Sequence, residues 1–303
     1  MSLRLAGLAA LTLLVCGCPV PPIRSQATVT EKSLPEKVPD LIKYADQIFA
    51  QATATPDGST APMENALLAL DKAHELEPKS YEPAWKAARL CGWLADELYD
   101  DKTKRAHFSG RGIEYAKAAI QANPQGVEGH YYSGINLGLS ATAKLVGAKF
   151  MVPSMRDAWK KAMQIDAAYD RGGPPRALGS LYAHAPPWPA SIGDPDKGVE
   201  LLQQALALGP DYPQNNLLLG DALVADERYD DAKKQYQIVL DAQPRPDDAH
   251  FLPKWQSRAK KGIEDALKKQ PGGGAPTSSR SGIPGRDRCA RAWCAAMPSL
   301  ARR

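Results

Sequence analysis

Residues 213–244 read PQNNLLLGDALVADERYDDAKKQYQIVLDAQP, and the fold follows from how this stretch places small and large residues. Gly220 and Ala232 are small where two helices would have to cross. Leu219, Leu223 and Tyr236 recur at helical spacing and fill the interface between them. Pro244 cannot donate a backbone N–H and stops the second helix. The stretch therefore predicts one antiparallel pair of helices.

Working outward, second helices of the same kind recur upstream. They are Ala66-Leu70-Ala73-Pro78, Gly112-Ala116-Ala119-Pro124, Met155-Trp159-Ala162 ending at Ala167, and Gly198-Leu202-Ala205-Pro210. First helices are expected at Leu41–Phe49, Trp85–Leu94, Tyr131–Leu139 and Ala177–Ala183, the last containing Leu178-Gly179-x-x-Tyr182. Five matches argue for a repeat architecture over a bundle whose alanine-rich helices imitate the spacing. The Gly220/Ala232/Tyr236/Pro244 pattern resembles the tetratricopeptide repeat (TPR), with Asn216 where that family prefers Trp. The resemblance implies an all-α fold, a right-handed solenoid of about five helix pairs over residues 38–270. Residues 250–269 form its capping helix, with Trp255, Ala259, Ile263 and Leu267 on one face. Segments 98–111, 139–153 and 183–196 are longer than the last repeat requires. They are expected to line one edge as longer helices or loops, a place where loops bind.

The ends have a different character. Residues 1–17 carry Arg4 and an apolar run from Leu5 to Val15, the layout of a secretory signal too short to span a bilayer. Val15-Cys16-Gly17-Cys18 resembles a bacterial lipobox, which implies lipidation of Cys18; an ordinary cleaved signal is the alternative. The expected location is the cell envelope, on the outer membrane facing the periplasm. Residues 18–37, rich in proline, read as a spacer. The tail 271–303 is expected to be disordered, and it carries six Arg against Asp287. That tail and Arg4 account for more than the net charge of +4, so the body is about −2 and gives no general case for nucleic-acid binding.

Arg176-Ala-Leu-Gly-Ser-Leu-Tyr182, Ala185-Pro-Pro-Trp-Pro189 and Tyr131-Tyr-Ser-Gly-Ile-Asn-Leu137 are also similar to the T-component family of TRAP-type transporters. That resemblance implies a helical homo-oligomer with a pore for a small apolar ligand, working with a periplasmic solute-binding protein.

The five His residues (74, 107, 130, 184 and 250) are too scattered for a zinc motif. Gly272-Gly273-Gly274 lacks the Lys-Ser/Thr of a phosphate loop, and no Ser or Asp lies in a nucleophile turn. Cys91 reads as a small buried hydrophobe, and Cys289 and Cys294 suit neither a zinc pair nor a redox motif. No catalytic residue, metal site or cofactor is therefore assigned. The leading expectation is a membrane-tethered scaffold for a protein or peptide partner. Its candidate groove residues are Trp85, Arg89, Trp93, Tyr131, Ile135, Arg176 and His184, with core packing as the alternative. Trp188, among the prolines of the edge loop, is either a contact or a plug against the solenoid.

Overall fold

The computed structural model describes residues 26–55, 59–143 and 148–270. Cys18, the signal and the tail 271–303 lie outside the described residues. Eleven α-helices occur among those described: α1 Val38–Ala54, α2 Ala61–Leu76, α3 Tyr81–Glu97, α4 Lys102–Ala122, α5 Val127–Ala143, α6 Ala148–Ile165, α7 Tyr169–His184, α8 Pro195–Leu208, α9 Pro213–Ala225, α10 Tyr229–Asp241 and α11 Leu252–Lys269. Each helix packs on the next, giving five pairs and a cap. From α3 onward the first helices also touch one another, α3 on α5, α5 on α7, α7 on α9 and α9 on α11, and make the inner wall. This is the TPR-like solenoid that the spacing predicts.

The crossings work by steric fit. A Cβ on Gly220 would sit 2.6 Å from Tyr236 Cε1, and one on Gly134 would sit 2.3 Å from Trp159 Nε1. Both rings belong to the second helix of the same pair, and both are buried. Removing the side chain of the first helix is what lets the ring of the second lie against its backbone. The cap packs its Trp255 and Ala259 into the core, but Leu267 is exposed and Ala266 is buried in its place. The apolar face thus shifts by one residue in the last turn.

In two of the three long inter-helix segments the described residues are mostly helix, 102–111 in one and 139–143 with 148–153 in the other. Helices α3 to α6 run 17, 21, 17 and 18 residues, against 13 each for α9 and α10. Asp101 caps α4 by accepting from the N–H groups of Thr103 and Lys104, so residues 102–111 join the helix. Residues 185–194 stay a loop, because Pro186, Pro187 and Pro189 cannot continue α7.

The segment read as a spacer is docked from Gln26 onward. Gln26 N–H donates to Glu64 Oε2 at 2.6 Å and Thr28 N–H to Asn65 Oδ1 at 2.8 Å, while Asn65 Nδ2 donates to Thr28 Oγ1 at 2.9 Å. A 3-10 turn, Glu31–Ser33, follows, and Leu34 is buried. Asn65 of α2 thus holds this segment by its backbone as well as by its side chain.

Candidate functional site

Helix α7 enters the inner wall through a strained turn. Asp170, Arg171 and Gly172 have φ of 51°, 53° and 82°, so two non-glycine residues occupy the left-handed region. Each costs on the order of 1–2 kcal/mol there and persists only if its surroundings impose it. The buried Arg176 supplies the constraint. Its Nη1 donates to Asp170 O at 3.0 Å and to Asn215 Oδ1 at 3.1 Å, its Nη2 donates to Tyr131 Oη at 3.2 Å, and it pairs with the Asp170 carboxylate. Tyr131 Oη donates to Asp170 Oδ2 at 2.9 Å. Burial first, and then the Asp170 charge, hold the Tyr131 phenol well above its ordinary pKa. Arg176 and Tyr131, proposed from sequence as groove residues, therefore knit α5, α7 and α9 together inside the wall.

The other candidates divide by depth. Trp93 and Ile135 are buried; Trp85, Arg89 and His184 are partly so. Trp85 stacks on Tyr132 at 6.3 Å, and the Arg89 guanidinium lies 3.9 Å from the Phe49 ring and 5.1 Å from that of Trp85. His184 Nδ1 donates to Ser180 O at 2.9 Å, and burial lowers the pKa of this ring. Between α1, α3 and α7 lies a cavity of about 360 Å³, whose lining includes Phe49, Thr53, Arg89 and Tyr169. A smaller one of about 160 Å³ adjoins the Asp71–Arg111 pair between α2 and α4.

The central cavity is completed by Asp247 and Phe251, which come from the link between α10 and α11. Sequence reading assigned residues 245–249 no role and placed 250 and 251 in the capping helix, which instead begins at Leu252. His250 N–H donates to Thr53 O at 3.1 Å, and its ring contacts Thr55 O and Glu97 Oε1, each at 3.1 Å. Asp247 pairs with Arg171, and Lys254 pairs with Glu97. The end of the solenoid thus reaches back to the ends of α1 and α3. A polar stretch such as PRPDDAH carries no periodicity that would have announced this; its length was the available signal.

Trp188 is the one candidate that faces solvent, 84% exposed. Its loop is nonetheless tied at the base. Asp194 N–H donates to Tyr182 O and Gly193 N–H to Pro186 O, both at 2.9 Å, and Asp194 caps α8 through Lys197 N–H. The tryptophan does not plug the solenoid.

Among the described residues no group of three or more His, Cys, Asp or Glu is placed to hold a metal ion. The buried Cys91 thiol is pushed up to about 12, which leaves it protonated and unreactive at neutral pH. The fold and this arrangement define a TPR-like solenoid. The family described as "Tetratricopeptide repeat" matches residues 193–251, and the family described as "Regulator of microtubule dynamics protein 1-3" matches residues 41–169. No curated protein sequence matches the chain. Among solved structures, the thermophilic TPR protein TTC0263 of Thermus thermophilus superposes with a TM-score of 0.55 at 18% identity, covering 75% of this chain and all of that one. Pseudomonas aeruginosa pilF gives 0.45 at 14% identity, covering 76% of this chain and 91% of that one. The assignment of fold rests on the first. The resemblance to transporter T-components has no counterpart among these matches.

Proposed function

We propose that this protein is a scaffold tethered to the outer membrane on its periplasmic side, which binds a protein or peptide partner along the edge that carries Trp188. The observation that supports it is Trp188 itself, a large aromatic held in solvent by a loop whose base is hydrogen-bonded and whose freedom prolines restrict. Such an anchor loses little entropy on binding, and tryptophan is among the side chains that contribute most to interfaces. With segment 26–34 docked on α2, a tether at Cys18 would be short. Only residues 18–25 then separate Cys18 from the body, a reach of at most about 29 Å. The body would be held beside the membrane, available to envelope partners.

The test is capture of partners from detergent-solubilised envelopes by the wild type and by Trp188→Ala. We expect the variant to keep its melting temperature within about 2 °C, since an exposed side chain contributes little to folding, and to lose most of its captured partner. Undiminished capture by a folded variant would remove Trp188 from the binding surface.

A further inference from the structure

The connections that lead from one helix pair to the next are short in this protein. They take residues 77–80, 123–126, 166–168 and 209–212, three or four each, whereas the link from α10 to α11 takes ten, 242–251. The extra residues are not needed to place α11, which packs directly on α9 and α10. They are spent on crossing to the far end of the wall. There His250 gives its backbone N–H to Thr53 O, sets its ring 5.4 Å from that of Trp93, and meets Glu97. Three residues earlier, Asp247 pairs with Arg171. A backbone hydrogen bond, an acid on an arginine and a ring on an aromatic floor are how a solenoid's inner face holds a peptide. The fit is also incomplete: the buried Trp93 indole N–H has no acceptor, a donor that costs stability while unpaired.

We propose that the inner face is a peptide-binding groove held closed in cis, with Asp247–His250 as its resident occupant. A partner displaces that occupant by presenting an extended segment with an acidic residue three positions ahead of an aromatic or imidazole ring. The acid takes Arg171, the ring takes Trp93 and Glu97, and a backbone carbonyl can accept from the Trp93 N–H. This groove is separate from the Trp188 edge, and Trp188→Ala leaves it unchanged.

The probe is a fluorescent peptide of residues Pro244–His250, added to the full chain and to the double variant Asp247→Ser/His250→Ala. In fluorescence anisotropy the double variant should bind it at least about tenfold more tightly than the wild type, and adding Glu97→Gln should weaken it again. Hydrogen exchange of the wild type should show the His250 amide opening at least about a hundredfold faster than amides in the middle of α9. Equal affinity of both proteins, or no binding by a double variant that keeps the wild-type circular dichroism, overturns the proposal. If the double variant does not fold, the exchange measurement decides. A His250 amide that exchanges no faster than those of α9 opens only with the whole protein, and the link is then a permanent part of the core.

Discussion

Gly220 and Gly110 are both interior helical glycines, and they should respond to substitution in opposite directions. At Gly220 an added side chain meets the Tyr236 ring, which is itself held by its hydroxyl donating to Asp221 Oδ1 at 2.8 Å. Gly220→Leu therefore overpacks a fixed contact and should cost about 1–3 kcal/mol. At Gly110 a Cβ would meet nothing within 4 Å. Gly110→Ala should accordingly stabilise α4 by about 0.5–1 kcal/mol, through the smaller freedom of the unfolded chain. Chemical denaturation of the two variants checks both signs, and equal midpoints would contradict the register assigned to the fifth pair. The Gly220 contact was legible in the sequence because a small residue and a large one recur at fixed offsets across one pair. The candidate groove residues were less so. Periodicity places Trp93, Tyr131, Ile135 and Arg176 on the inner face of their helices, but it cannot say whether that face meets water or protein.

At the scale of the element, α7 shows a helix whose start is imposed from outside. The stretch Asp170-Arg-Gly-Gly-Pro-Pro175 contains the signals of a helix beginning, with prolines in the first turn. The left-handed φ of Asp170 and Arg171 is not among those signals. It exists because Arg176 reaches back over the turn and pairs with Asp170, a carboxylate with no exposed side-chain surface. Replacing Arg176 by Met would keep most of the volume and leave Asp170 buried without its cation. Loss of one partner from such a pair typically costs about 3–5 kcal/mol, and we expect Arg176→Met to lose stability in that range by urea unfolding. A loss under about 1 kcal/mol would mean that α7 holds its own start, and that the turn needs no clamp.

For the molecule as a whole, the tether and the body make one geometric prediction. Cys18→Ser should release the protein from the membrane fraction and abolish fatty-acid labelling, with the folded body unaffected. Persistence of both label and membrane association in the variant would refute the anchor. Stable attachment needs more than one acyl chain, at about 0.8 kcal/mol per buried methylene, so a partly modified protein should appear in both fractions.

The sequence by itself determined the helix pairs, because each depends on residues close together in the chain: small and large apolar residues at helical spacing and, in four of the five, a proline beyond. It also determined that two ends of different composition flank the repeats. Only the tertiary structure decided how the solenoid is filled. Whether residues 98–111 and 185–194 were helix or loop turned on a cap at Asp101 and on prolines, which is local information read too coarsely. Whether the inner face was open turned on the meeting of His250 with Thr53 and Glu97, residues separated by about two hundred and one hundred and fifty positions. Such contacts leave no period in the chain. They arise because the link between α10 and α11, residues 242–251, is long enough to carry His250 back to the ends of α1 and α3.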